Sequence, residues 1–397
     1  MKVLIAGAGI GGFTAALCCL HHGHEVVLFE QANELSQVGA GIQVSPNAMK
    51  VFQALGIADA IAERGFRPEA IETRMGESGL TLFKIPLVAR AKREWGAPYL
   101  HIHRADYVAA LAQALLTQAP DAIRLGRSVA GYSQSDTSVS IRFDDGTEEE
   151  GDVIIGADGI HSRIREQMFG PGEPRFTGNI AWRAVVPASL LERDRPNATA
   201  CAWMGKGKHA VTYYLRNGEL VNFVGVVERD DWQREGWQER GSKEELQNDF
   251  AGWHPAIREL INSADDQELF RWALFDRSPL PGWTDGRVAL LGDAAHSMLP
   301  FLAQGAAMAV EDAWVLARAL SEGVSVSSAL IDYQGQRLPR TSKVQSASRS
   351  NMTTFHQRTL SGRLRTYGPM WLGGRLAPQV VNARMNWLYG YDVTSRA

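Results

Sequence analysis

The sequence is short of cysteine, of unbroken apolar stretches and of net charge. Its three cysteines are Cys18, Cys19 and Cys201. Adjacent cysteines rarely pair, so no disulfide framework holds the chain. Such sparing use points to a reducing compartment and a cytoplasmic location. Lys and Arg number 41 against 44 Asp and Glu, a formal net charge of −3. That balance offers no electrostatic attraction to nucleic acid or to an anionic membrane surface. Past the N-terminal segment, nothing approaches the roughly 18–20 consecutive apolar residues of a membrane span. What remains is ordinary globular composition, 45% hydrophobic and 21% charged, which excludes disorder and fibrous repeats. At about 150 residues per domain, the length points to two or three domains.

The N-terminus, MKVLIAGAGIGGFTAALCCLHHGH, superficially resembles a secretory signal because Lys2 precedes an apolar run. Its five glycines would make a poor apolar helix, and no small-residue cleavage site follows. A strand–turn–helix reading fits better. Lys2 to Ala6 is a short apolar run suited to a buried parallel strand. Gly7, Gly9 and Gly12 then match G-x-G-x-x-G, with Gly11 inside the turn. A helical pattern runs to Gly23, and a second strand ends at the acidic Glu30. Gly7 permits the tight turn, Gly9 lets backbone approach a pyrophosphate, and Gly12 lets helix and strand pack closely. The helix N-terminus favours the phosphates, and the Glu30 carboxylate suits ribose hydroxyls. This is a dinucleotide site, and the motif alone does not separate NAD from FAD.

Further along, Gly39-Ala40-Gly41-Ile42-Gln43 forms a second glycine cluster, read as a cofactor-facing turn before a helix from Ala48 to Leu55. Residues 71–90 read as strands turning at Gly76–Gly79, and Asp106–Thr117 as a helix. A hairpin over 139–155 leads into Gly156-Ala157-Asp158-Gly159 and a helix bearing Arg163 and Arg165. Aromatic, alternating strands fill 180–228, a helix is expected over 243–262, and another from Gly305 to Leu320. Pro300 is expected to stop any earlier helix and leave a loop. The fold class is α/β: a Rossmann-like nucleotide-binding domain with an interleaved β-rich substrate domain and C-terminal helices. The expected divisions are 1–70, 101–178 and 276–330 for the nucleotide domain, 71–100 and 179–275 for the substrate domain, and 331–397 for the helical tail.

Taken together, Gly7–Gly12 with Glu30, Gly156–Gly159 and Gly292-Asp293-Ala294-Ala295-His296 resemble the FAD-dependent aromatic hydroxylases of the para-hydroxybenzoate hydroxylase type. Within that family the stretches GAGIQVSPNAMK, GAPYLHIHRADY, GADGIHSRIRE, LPFLAQGAAMAVEDA and WLYGYD are most similar to the salicylate, 3-hydroxybenzoate and 6-hydroxynicotinate hydroxylases. The resemblance implies bound FAD, with Gly7, Gly9, Gly11, Gly12, Glu30, Gln31, Gln43, Arg104, Val129, Asp158, Asp293, Gly305 and Ala306 as the cofactor-binding set. Glu30 would take the adenosine ribose, Arg104 the ribityl–phosphate region and Asp293 a ribityl hydroxyl. Backbone at Gly305 and Ala306 would face the flavin N1–C2 edge, where the positive end of a helix suits reduced flavin. NADH or NADPH would act as a transient co-substrate without a second Rossmann motif. The implied reaction is hydroxylation of a small aromatic acid by O2 through a flavin C4a-hydroperoxide, with decarboxylation where the attacked carbon bears the carboxylate.

Deprotonating a phenol makes its ring more nucleophilic, so a base near the substrate is useful. His209 and Tyr213, four apart in a predicted strand, share one face. The resemblance makes them the catalytic pair, His209 as proton relay and Tyr213 as partner of the substrate hydroxyl or carboxylate. Tyr214 points the other way. Pro300 and Phe301 are expected beside the substrate. Gln43 and Phe301 stand where the 6-hydroxynicotinate enzymes carry His, leaving a phenolic benzoate or a heteroaromatic acid open. No histidine cluster here completes a metal site, His296 borders the flavin or caps a loop, and Cys201 reads as a small buried hydrophobe. A flavin dehydrogenase or oxidase of an amine or alcohol, and a non-catalytic flavin sensor, are the competing readings. The tail leaves a homodimer open.

Overall fold

The structure, a computed structural model, describes residues 1–35, 40–172, 175–229 and 239–395. The chain opens as β1 (Lys2–Ala6), α1 (Ile10–His21) and β2 (Glu25–Phe29). β3 (Gly41–Val44) leads into α2 (Pro46–Ala54) and α3 (Ala58–Glu63). The pair β4 (Ala70–Met75) and β5 (Thr81–Pro86) precedes α4 (Arg90–Trp95), β6 (Leu100–His103) and α5 (Arg104–Gln118). Next come β7 (Ile123–Arg124), β8 (Val129–Gln134), β9 (Val139–Phe143), β10 (Glu148–Gly151), β11 (Val153–Gly156) and α6 (Arg163–Phe169). Long strands follow: β12 (Arg175–Pro187), β13 (Ala200–Gly205), β14 (Lys208–Leu215) and β15 (Leu220–Glu228). After α7 (Lys243–Asp249), α8 (Pro255–Ser263) and β16 (Phe270–Asp276), the chain returns through β17 (Thr284–Asp285), β18 (Val288–Leu290) and α9 (Asp293–His296). It ends in α10 (Gly305–Glu322), α11 (Val326–Phe355), α12 (Leu360–Leu376), α13 (Pro378–Ala383) and α14 (Asn386–Tyr389).

The first sheet has the order β17-β18-β11-β1-β2-β7. β1 pairs in parallel with both β2 and β11, and β11 with β18. Val3 to Ala6 and Val153 to Ile155 are completely buried, the pattern of strands covered on both faces. β1 and β18, from opposite ends of the sequence, therefore flank the same strand, β11, and their carboxyl ends lie on the edge of the sheet where ligands of open α/β sheets bind.

The second large sheet, β16-β12-β15-β14-β13-β4-β5, is antiparallel apart from the β13–β4 pair. Its one face carries a separate apolar core that includes Trp182, Trp203, Tyr214 and Phe250. The small sheet β3–β6 connects the two parts, through the parallel-sheet core on one side and Tyr213 on the other. Among the described residues no helix is long and apolar enough to cross a membrane.

Three local expectations are corrected. The helix expected over 243–262 is two helices, because Gly252 takes a φ of +74° and Pro255 begins a new first turn. Pro300 does not leave an open loop but opens a 3-10 turn over Pro300–Leu302. Gly41 is not part of a turn but the first residue of β3; Gly39 lies outside the described residues.

Candidate active site

The turn between β1 and α1 is built from glycines with different duties. Gly7 has a φ of +100° and donates its N–H to Phe29 O at 2.8 Å. A Cβ on Gly12 would run into the Gly7 carbonyl, and one on Gly11 would lie 2.7 Å from Leu291 Cδ2. Around Gly9 nothing stands within 4 Å of where a Cβ would be. α1 thus presents its first N–H groups, uncapped by any side chain, over bare backbone, which is the arrangement that receives phosphate. Glu30 Oε2 accepts the Ala8 N–H at 2.9 Å and Oε1 accepts that of Ala32 at 3.0 Å. Gln31 is exposed beside it, and Val129 is half-buried at the start of β8.

Asp158 follows β11. Its Oδ2 accepts from the backbone N–H groups of Arg163 at 2.8 Å and Ile164 at 3.3 Å, while Oδ1 is buried and unpartnered. Burial raises its carboxyl above the usual range, against the pull of those N–H groups. Arg104 starts α5 with its Nε buried and unpartnered. Burial lowers its guanidinium, and Asp293 works in the opposite direction. Asp293 opens α9 at the floor of a recess, reachable by solvent yet walled by protein. The walls raise its carboxyl, and His296 and Arg104 offset part of that rise. A Cβ on Gly305 would lie 3.8 Å from Asp293 Oδ1, so the start of α10, with Ala306 next in line, adjoins the same recess. The unpartnered Arg104 Nε and Asp158 Oδ1, with the open ground above Gly9, fit a polar dinucleotide.

A cavity of about 570 Å³ opens beside Pro300 and Phe301. β14 places His209 in its wall and β3 places Gln43 there, where the Tyr99 hydroxyl donates to Gln43 Oε1 at 2.5 Å. Ile71, Met204, Val211 and Leu388 make much of the rest apolar. Among the described residues the lining holds one Lys or Arg, the exposed Arg384. The Phe301 ring packs on His209, centroids 5.2 Å apart. Cys201 also lines the cavity, and burial pushes its thiol well up, so it is an inert hydrophobe there.

Tyr213 does share a face with His209 but is not in that lining. Its hydroxyl donates to Gly41 O at 2.7 Å, and its ring lies 4.7 Å from that of His101. Tyr214 faces the other core and donates to Pro196 O at 2.8 Å. His101 is fully buried, which pushes it down to about 3 and keeps it neutral. Among the described residues no three His, Cys, Asp or Glu side chains gather as a metal site.

Two arrangements escaped the sequence. His209 Nδ1 lies 2.7 Å from His356 Nε2, and His356 Nδ1 lies 3.0 Å from Glu228 Oε1. Separately, Arg337 bonds both Asp312 Oδ1 and Glu311 Oε2 at 2.7 Å in complete burial. Asn47 and Arg340 complete Glu311, and His296 lies 2.5 Å from Asp312 Oδ2. His296 is therefore held in this network behind the recess. Adjacent acids inside the apolar helix at 311–312 were the available signal, since buried carboxylates require partners.

The family described as FAD binding domain matches residues 1–348. The 6-hydroxynicotinate 3-monooxygenase of Pseudomonas fluorescens is 39% identical, covering 99% of this chain and 95% of that protein. The 3-hydroxybenzoate 6-hydroxylase 1 of Aquipseudomonas alcaligenes is 35% identical, covering 100% and 99% respectively. The crystal structure of Klebsiella pneumoniae HpxO with FAD and uric acid superposes with a TM-score of 0.87 at 27% identity, over 98% of this chain and 97% of that one.

Proposed function

The chain belongs to the family of FAD-dependent aromatic monooxygenases, and from that premise we propose that it uses NADH or NADPH and O2 to hydroxylate a small aromatic acid. Membership sets aside the flavin oxidase and sensor readings, since the relatives above are monooxygenases. The observation that carries the substrate class is a buried base, His209, in the wall of an apolar cavity whose lining also offers Arg384. Burial and the neighbouring His356 hold His209 well below its usual range, so it is a neutral acceptor at pH 7. The apolar walls suit an aromatic ring, and Arg384 suits its carboxylate.

When bound and reduced, FAD would supply the activation of O2 that lets one of its oxygen atoms pass to the ring. In this reading Gly9 and the first N–H groups of α1 hold its pyrophosphate, Glu30 with Gln31 its adenosine ribose, and Val129 borders the adenine side. Arg104 and Asp293 hold the ribityl chain, with Asp158 nearby. The start of α10 at Gly305 and Ala306 stabilises negative charge on the reduced ring. His209 takes the substrate's hydroxyl proton. Tyr213 acts on the substrate indirectly: its hydroxyl donates to Gly41 O and so holds β3, which carries Gln43, at the cavity wall. Gln43, Pro300 and Phe301 bound the ring. Attack at the carboxylate-bearing carbon would release CO2.

The test is oxidation of NADH and of NADPH by the FAD-loaded protein across hydroxybenzoates and hydroxynicotinates, with products identified. Oxygenated product from at least one acid is expected. Nucleotide oxidation that yields only hydrogen peroxide with every compound would overturn the proposal.

A further inference from the structure

We infer that His356 and Glu228 extend His209 into a proton path from the cavity to the surface, and that the Glu228 carboxylate sets the tautomers of both rings. This deepens the reading above and rests on it for the proton's source, the substrate hydroxyl.

The outer end of the relay fixes the rest. A carboxylate only accepts hydrogen bonds, so His356 Nδ1, 3.0 Å from Glu228 Oε1, must carry the hydrogen between them. Burial lowers His356 below its usual range despite Glu228, which favours the neutral ring with a bare Nε2. That bare nitrogen lies 2.7 Å from His209 Nδ1, which therefore donates. His209 is left with its lone pair on Nε2, and among the described residues no hydrogen bond engages that atom. A carboxylate two residues removed in the relay thus makes the cavity-lining ring a base at its remaining nitrogen.

The fold supplies this alignment. β14 and β15 pair with His209 opposite Val226, so Glu228, two residues on, lies along the same face. His356 follows the last residue of α11 and is almost fully buried between them. Arg358 donates to Glu228 Oε2 at 2.5 Å, which leaves Oε1 for His356. Glu228 and Arg358 are the charged groups that face the two rings. Glu228, His356 and Arg358 also line a surface depression of about 310 Å³, the exit to water.

The transfer balances without any co-reactant. The substrate O–H breaks as His209 Nε2 gains hydrogen. His209 Nδ1 passes its own hydrogen to His356 Nε2, and His356 Nδ1 passes its hydrogen to Glu228 Oε1, which yields a proton to water. The substrate is left as its phenolate. Each ring gives up one hydrogen as it takes another, so neither holds a net charge in a site where charge is disfavoured. Reprotonation of the product on release runs the path inward and restores both tautomers.

The experiment has two arms. In FAD-loaded protein carrying ¹⁵N-ring-labelled histidine, nitrogen shifts should show both His209 and His356 protonated at Nδ1, with His356→Gln used to assign the signals. His209 protonated at Nε2 instead would overturn the inference. In the second arm, His356→Gln and Glu228→Ala should lower kcat for the panel acid that turns over by roughly 10- to 100-fold, with FAD content and KM little changed. Sodium acetate in the assay should restore much of the Glu228→Ala rate by taking the missing carboxylate's place. Full activity in both variants, or a Glu228→Ala loss indifferent to acetate, would overturn it. If wild-type protein hydroxylates no panel acid, the proposed function fails, and the nitrogen shifts still decide the tautomers.

Discussion

Tyr213 donates its hydroxyl hydrogen to the carbonyl of Gly41 across 2.7 Å, and the Tyr213 ring occupies the space a side chain at residue 41 would need. Asn222, the cross-strand partner of Tyr213, accepts the Gly41 N–H at 2.9 Å. One residue of β3 is thus gripped at both its N–H and C=O by the large sheet, and Gln43 lines the cavity two residues later. At Gly41 the missing side chain makes room for the Tyr213 ring.

Tyr213→Phe should consequently loosen β3 at the cavity wall and lower hydroxylation more than Tyr214→Phe does. The second variant loses a buried bond to Pro196 O and should cost about 1 kcal/mol of stability with activity largely kept. Steady-state rates beside urea unfolding measure both, and the reverse ranking of rates would refute the assignment.

Gly9→Ala and Gly12→Ala should separate cofactor binding from folding. Gly9 has an extended backbone, φ −81°, with open space where the methyl would go. Alanine there should leave apoprotein unfolding unchanged while reducing FAD retention. A methyl at Gly12 meets the Gly7 carbonyl, so that variant should lose stability as well. Flavin absorbance of purified protein and apoprotein melting temperatures give the comparison.

Arg384→Gln should raise KM for carboxylate-bearing substrates at least several-fold, a charge-assisted hydrogen bond being worth roughly 1.5–3 kcal/mol. The carboxamide analogue of the same ring should be little affected. Equal KM changes for acid and amide would remove Arg384 from carboxylate recognition.

Arg337→Met leaves Glu311 and Asp312 buried without their main cation, and should cost about 3–5 kcal/mol at pH 7. In the wild type, burial acts to raise both carboxyls, and Arg337 with His296, Arg340 and Asn47 outweighs it, so both lie below their usual range. Groups depressed by folding stabilise above the unfolded pKa, near 4, and lose that contribution as pH falls through the folded values. The stability gap between wild type and variant should therefore be widest at neutral pH and narrow below about pH 4. Denaturant titrations at several pH values check this; a gap that widens on acidification would contradict the network's role.

The glycine turns were legible in the sequence because their causes are local. Gly7, Gly9 and Gly12 fall within one strand–turn–helix, so near neighbours in the sequence set the backbone each requires. His209 and Tyr213 were legible as a pair by strand periodicity, but periodicity gives a shared face, not which neighbour fills it. Tyr213's partner, Gly41, comes from a distant strand. The residues not found are those whose meaning depends on meetings across the chain. Glu228 ends a strand among other acids, and His356 sits past a helix end with no motif around either. The single helix expected over 243–262 failed at Gly252 and Pro255, where breaker residues outweigh an amphipathic pattern.

The central claim, oxygen transfer to an aromatic acid at this cavity, is tested most directly by turnover of the FAD-loaded protein under ¹⁸O2 with the panel acid and reduced nicotinamide nucleotide. One labelled oxygen is expected in the new ring hydroxyl, with the labelled product lost in His209→Ala while FAD stays bound. A product whose new oxygen comes from water, or labelled product formed as fast by His209→Ala, would contradict it.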